Sequence, residues 1–213
     1  MPRTSGLVLA AGGSRRLGRP KQLLPFRGAT LLDHTVATAR QCGFDQLIVA
    51  LGGAAEEIRE RVDVSGATIA LNPGYGAGCA SSIAAALSVV DEDADVLVLM
   101  LGDQPGVTAD TVRTLLDGRG DAPLAVCRYD DGRGHPFAFA RELFGELAAL
   151  HGDKAVWKLL EARPEAVAEV RVAGGVPLDV DTWEDYEAVL AESSTPHPPS
   201  AAGRHDRPRA AAP

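Results

Sequence analysis

A doubly wound α/β fold, one mainly parallel sheet with helices on both faces, is the architecture that this 213-residue chain predicts. Two observations carry the prediction. Short, uninterrupted apolar runs alternate along the chain with longer amphipathic ones, which is the order that right-handed βαβ crossovers produce. The strongest apolar runs also lack the in-out alternation of a half-exposed strand, as expected where a parallel strand is covered on both faces. With 46% hydrophobic residues, the chain has enough apolar material for one core of this kind.

Taken in order, Gly6 to Ala11 reads as the first strand, and Gly12-Gly13 leaves the backbone free to turn after it. Leu32 to Cys42 is a helix closed by Gly43, with Asp33 capping its start, and Gln46 to Leu51 is a strand ending at Gly52-Gly53. Ala54 to Val62 is helical, Ala67 to Leu71 a strand, and Gly78 to Val90 a small-residue helix. Asp95 to Leu101 is the most hydrophobic strand and belongs at the sheet centre. Thr108 caps a helix running to Leu116, and Leu124 to Cys127 is a further strand. The alternation then breaks. Gly132-Arg-Gly-His-Pro136 is punctuated as a turn before Phe137-Ala-Phe139, which predicts a small inserted hairpin or antiparallel strand. Helices over Arg141 to Leu150, Asp153 to Glu161 and Trp183 to Ala191, with a strand near Ala168 to Val172, complete a single domain over residues 1–192. From 193 to 213, Pro, Ala, Ser and Arg dominate without apolar periodicity, so this tail is expected to be disordered.

A net charge of −8 argues against nucleic acid as a partner, because a phosphate backbone demands a broad basic face. The three cysteines, Cys42, Cys79 and Cys127, lack the spacing of a disulfide framework or a zinc site and fit a reducing compartment. No apolar run approaches the ~18 residues of a membrane helix, and residues 1–6 lack a signal-peptide core. A cytoplasmic location without membrane attachment is the expectation.

In doubly wound sheets, ligands bind beyond the carboxyl ends of the strands. Three strand-end segments stand out there: Ala11-Gly-Gly13, Asn72-Pro-Gly-Tyr-Gly-Ala-Gly78 and Gly102-Asp-Gln-Pro105. The first leads into Leu9-Ala-Ala-Gly-Gly-Ser-Arg-Arg-Leu-Gly-Arg-Pro-Lys21, where Arg15, Arg16, Arg19 and Lys21 put four cations next to open glycine backbone. That combination suits a triphosphate. It is not a Walker loop, because Arg19-Pro20 stands where Lys-Ser/Thr is required. Nor is it a dinucleotide turn, since Gly12, Gly13 and Gly18 miss the Gly-x-Gly-x-x-Gly spacing. Asp103, at the mouth of the buried strand, is placed to hold Mg²⁺ against phosphate oxygens, although a turn aspartate bonding local N–H groups would look the same. In Leu178-Asp-Val-Asp-Thr182, Asp179 and Asp181 share one side of an extended segment, while Asp181 or Thr182 is also a fitting cap for the helix that follows. Gly74 to Ser82 offers open backbone and two hydroxyls for a base and ribose, or merely starts a helix. His135 is the histidine whose loop setting suggests a site, whereas His34 and His151 sit at helix surfaces or ends.

Together these blocks resemble the MobA-like nucleotidyltransferases, and within them the molybdenum cofactor cytidylyltransferase (MocA-type) branch. The resemblance runs from about Gly6 to Glu187. It is carried by Leu9 to Gly18, Pro20-Lys-Gln-Leu-Leu-Pro25, Gly102-Asp-Gln-Pro105, Arg133-Gly-His-Pro136, Gly152-Asp-Lys154 and Asp179-Val-Asp-Thr182. It implies Mg²⁺-dependent transfer of a nucleotidyl group, CMP from CTP being favoured, to the phosphate of molybdopterin, with release of pyrophosphate. Arg16, Lys21 and Asp103 would then be catalytic. Ala10, Ala11, Gly12, Gly13, Arg16, Lys21, Gly78, Ser82 and His135 would contact nucleotide or acceptor, and Asp103 with Asp181 would hold the metal. A molybdoenzyme or its chaperone is a further implied partner. Guanylyl transfer, another phosphate acceptor, and a non-catalytic delivery role for the pterin dinucleotide are the alternatives. The chain departs from the family pattern at Leu17, where Met is usual, and at Cys79. It also has Ala155-Val-Trp157 where relatives tend to have Gly-Ala-Arg, which bears on the acceptor.

Overall fold

The structure, a computed structural model, describes residues 2–194. In chain order the strands are β1 (Thr4–Ala10), β2 (Pro25–Phe26), β3 (Ala29–Thr30), β4 (Gln46–Leu51), β5 (Thr68–Leu71), β6 (Val96–Leu101), β7 (Leu124–Arg128), β8 (Arg133–Ala140) and β9 (Val167–Arg171). The helices are α1 (Leu31–Gln41), α2 (Ala55–Arg61), α3 (Cys79–Leu87), α4 (Ala109–Arg119), α5 (Phe144–Ala148), α6 (Ala155–Ala162) and α7 (Trp183–Ser194). The first two residues of the predicted 193–213 tail end α7, and the rest of it lies outside the described residues.

One seven-stranded sheet has the order β5-β4-β1-β6-β8-β7-β9, with the apolar β6 at its centre as predicted. β1 pairs in parallel with β4 and β6, β4 with β5, and β7 with β9, while β8 alone runs antiparallel to both its neighbours. Successive residues of each strand feed opposite layers. Val8, Val49 and Val98 pack with Leu32, Ile58 and Val112 from α1, α2 and α4. Leu7, Ile48 and Leu99 pack on the other face with Ile83, Leu147 and Leu160 from α3, α5 and α6. Each fully buried leucine contributes roughly 2 kcal/mol, so helices on both faces follow from the apolar runs.

Three local expectations are corrected. The first helix begins earlier than expected and is capped by Thr30, with Asp33 returning a bond to the Thr30 N–H in a capping box. A small antiparallel sheet, β2–β3, precedes it and was not expected; Arg27 and Gly28 take φ of 48° and 84° in its two-residue turn, the left-handed pair such a hairpin needs. The expected antiparallel strand over Phe137 to Phe139 is present as β8, but it already starts at Arg133, inside the segment expected as a turn. The β7–β8 register jumps there, Val126 facing Phe137 and Cys127 facing Gly134. His135 and Pro136 therefore form a bulge, where a proline without an N–H costs no ladder bond.

A third apolar cluster joins Leu17, Leu24, Phe26 and Leu31 to Val180 and Val189. It fastens the basic loop and the β2–β3 hairpin to the 178–182 segment and α7. Among the described residues, no helix is long and apolar enough to cross a membrane.

Candidate active site

A cleft of about 630 Å³ opens at the carboxyl ends of the parallel strands. It brings together the segments after β1, β5 and β6, the start of β8, the start of α6 and the 179–181 segment. All the predicted site residues, Ala10, Ala11, Gly12, Gly13, Arg16, Lys21, Gly78, Ser82, Asp103, His135 and Asp181, line it.

The basic loop is shaped from beneath by Gln22, a residue that entered the sequence reading only as part of a motif. Its Nε2 donates to the carbonyls of Ala10 (2.6 Å) and Gly12 (3.1 Å), and the side chain is 2% exposed. In a trans peptide the carbonyl and the next N–H point opposite ways, so the Ala11 and Gly13 N–H groups are turned away from Gln22. Ser14, at φ 47°, accepts the Lys21 N–H on its hydroxyl at 2.9 Å and closes the loop back on itself.

Lys21 is the hub of the charged end. Its ammonium lies 2.5 Å from Asp103 Oδ2 and 2.9 Å from Asp181 Oδ1, while Arg16 reaches Asp181 Oδ2 at 2.7 Å. Burial alone would lower the Lys21 pKa, but the charge of Asp103 and the bonds to both carboxylates more than offset it and leave it above its ordinary value. The hydrogen bond from Lys21 leads the causes that hold Asp181 below the usual carboxylate range. Asp179 behaves oppositely: burial, then the neighbouring Asp103 charge, raises it. Gln104 ties the 177–181 segment to the end of β6 by donating to the Pro177 carbonyl at 3.0 Å and to Asp179. Val180 is fully buried, so Asp179 and Asp181 do share one side, facing the cleft. The cap ambiguity also resolves. Thr182 accepts the Asp185 N–H and Asp185 accepts the Thr182 N–H, which leaves Asp181 to the site.

The carboxylates of Asp103 and Asp181 face a position where the fold already places a cation, the Lys21 ammonium, so their surroundings suit a divalent ion. Among the described residues, no cluster of three or more His, Cys, Asp or Glu side chains is disposed to hold a metal. Two carboxylates completed by phosphate oxygens and water form the usual Mg²⁺ environment, and the donor set fits that ion.

Across the cleft, Asn72 organises the glycine-rich segment. Its amide donates to Ser81 Oγ (2.8 Å) and Ser82 Oγ (2.9 Å), and its carbonyl accepts the Gly74 N–H. Gly78, at φ 102°, abuts Gly152 and Asp153, and a Cβ there would lie 2.8 Å from the Asp153 carboxylate. Asp153 accepts the Cys79 N–H at 3.1 Å, and burial, with Asp153 adding to it, pushes the Cys79 thiol up to about 11. Tyr75 was missed by sequence reasoning. It lines the cleft and packs so tightly over Gly52 and Gly53 that a Cβ on Gly53 would lie 2.4 Å from its hydroxyl. The glycine pair after β4 could have signalled such a contact.

His135 reaches the cleft from β8, not from a loop. Because β8 runs backwards, its beginning lies at the edge where the parallel strands end. Its carbonyl accepts the Tyr129 hydroxyl at 2.6 Å, its ring meets Phe137 edge-on at 4.3 Å, and burial holds the imidazole neutral with a pKa of about 3.

Residues 6–169 match the family described as MobA-like NTP transferase domain. A crystal structure of the Mycobacterium tuberculosis rv0371c homolog from mycobacterium sp. strain JC1 superposes with a TM-score of 0.84 at 55% identity, over 89% of this chain and 96% of that one. The structure of Rv0371C from Mycobacterium tuberculosis H37Rv, a complex with manganese, is 49% identical with a TM-score of 0.81, over 89% and 98% of the two chains. Among curated proteins, the nicotine blue oxidoreductase of Paenarthrobacter nicotinovorans is 29% identical over 89% of this chain and 94% of its own. The molybdenum cofactor cytidylyltransferase of Escherichia coli K12 is 29% identical over 84% and 92%. With the cationic loop, the paired carboxylates and this family match over most of its length, the chain belongs to the MobA-like NTP transferases.

Proposed function

We propose that this chain transfers CMP from CTP to the phosphate of molybdopterin, releasing pyrophosphate. A phosphate oxygen of the acceptor attacks the α-phosphorus, the bond to the β-phosphate breaks, and pyrophosphate leaves with the electron pair. The acceptor phosphate is already largely dianionic near neutral pH, so no strong base is required. Positioning and charge neutralisation supply the catalysis. The observation that carries this reading is the meeting of Lys21 with both Asp103 and Asp181, which joins the basic loop and the metal-type carboxylates at one point.

In this scheme the Ala11 and Gly13 N–H groups receive phosphate oxygens, and Arg16 and Lys21 offset the charge that gathers on departing pyrophosphate. Asp103 and Asp181 would hold Mg²⁺, which supplies Lewis-acid polarisation of the phosphoryl group when bound. Ser82 and Gly78 border the base, and His135 meets the acceptor side. The E. coli relative supports cytidylyl transfer by its name, and the manganese-bound structure supports a divalent ion.

Purified protein incubated with molybdopterin, Mg²⁺ and each of CTP, GTP, ATP and UTP, with pyrophosphate followed, tests the proposal. Release with CTP well above the others is expected. Preference for GTP would move the assignment to guanylyl transfer, and tight binding of finished dinucleotide without any pyrophosphate would replace it with a delivery role.

A further inference from the structure

The two ends of the cleft differ in kind. One part of the lining, distinct from the basic loop, consists of Leu99, Val156, Trp157, Cys79 and His135, with the Asp153 carboxylate beside Cys79. Among the described residues that line it, the full charge is the negative one of Asp153, since His135 and Cys79 are both held neutral. A phosphate is therefore repelled there, and an apolar group is welcome. Trp157 is partly exposed, and its ring is fixed in place from behind: the fully buried Phe137 meets it edge-on at 5.2 Å and His135 at 6.2 Å. Phe137 and His135 both belong to β8 and touch each other as well as Trp157, so the strand itself sets the indole's position. Such a platform, held by T-shaped contacts with the core, offers a ready stacking surface without the entropy loss of ordering a loose side chain.

We propose that Trp157 is the stacking platform of a subsite for a flat, uncharged heteroaromatic ring, with hydrogen-bonding groups at its edge supplied by His135 and Ser82. The ring belongs either to the nucleobase of the triphosphate or to the acceptor. The assignment rests on the transferase reading for where the rest of the ligand lies, but its binding test does not depend on turnover.

The chain has two tryptophans, so Trp183→Phe leaves an emission signal from Trp157 alone. That protein is titrated with CTP in one arm and with 6-hydroxymethylpterin in the other. Saturable quenching by one of them is expected and identifies the source of the ring. Measured by titration calorimetry, Trp157→Leu should then weaken that ligand by about tenfold, while Trp157→Phe keeps it within about threefold. Inorganic tripolyphosphate, which has no ring, should bind all three proteins alike and verifies that the variants are folded. Quenching by neither compound, or the same affinity in Trp157→Leu, overturns the subsite. If no triphosphate yields pyrophosphate yet the ring still binds through Trp157, the transferase proposal fails and the subsite stands.

Discussion

The charged end and the aromatic end of the cleft are held in place by different forces. At the charged end, Lys21, Arg16, Asp103 and Asp181 satisfy one another, while Gln22, the Ser14 turn, Gln104 and the apolar cluster of Leu17 with Val180 fix the backbone around them. At the aromatic end, Trp157 and His135 are seated against Phe137, and through it against the apolar core. The first arrangement must be rebuilt when a polyanion arrives, because Lys21 and Arg16 are already paired with carboxylates. The second is complete before anything binds. On the proposed reading, recognition of phosphate rests on rearranged charge, and recognition of a ring on preformed shape.

The sharpest way to break that contrast is Asp103→Asn, which keeps the shape and removes the charge. Turnover should fall by about a hundredfold or more, read as pyrophosphate release, while the melting temperature changes little. Unimpaired turnover would remove Asp103 from the chemistry. Lys21→Ala should be comparably inactive but also unstable. Asp103 is 9% exposed, so losing its partner leaves a buried carboxylate and costs roughly 3 kcal/mol in urea unfolding. The burial of Asp103 thus makes the fold sensitive to this change even though the residue lies at a strand end.

Gln22→Leu strips donors from two loop carbonyls without touching a charge. The KM for the triphosphate should rise about tenfold with kcat less affected, and ring binding at Trp157 should not change. The smallest effect concerns acid. Asp181 is depressed in the folded state, so its stabilising contribution is present above the ordinary carboxylate range and disappears as pH falls through its folded value, below 3.8. Asp181→Asn should be less stable than the parent in urea melts at pH 7, and the gap should narrow at pH 3. A constant gap would show that Asp181 acts through shape alone.

Much of this was legible beforehand for identifiable reasons. The parallel strands announce themselves because burial on both faces forces uninterrupted apolar runs. Asp179 and Asp181 could be placed on one side because strand geometry alternates around Val180. Lys21 and Asp103 could be expected to converge because both follow strands at the same edge of the sheet. The start of β8 was hidden, since glycine and proline around His135 carry the same signature in a bulge as in a turn. The β2–β3 hairpin is too short for periodicity to reveal. Gln22 and Tyr75 act through backbone they touch far along the chain or across the cleft, and nothing local distinguishes them from surface polar residues.

The bridging ammonium of Lys21 has a consequence for life without ligand. A pair of neighbouring carboxylates usually repel each other until an ion from solution separates them, which leaves such proteins sensitive to chelators. Here the chain supplies its own counterion, so depletion of divalent ions should cost the protein its activity and leave its shape untouched. The empty enzyme can wait intact through metal scarcity.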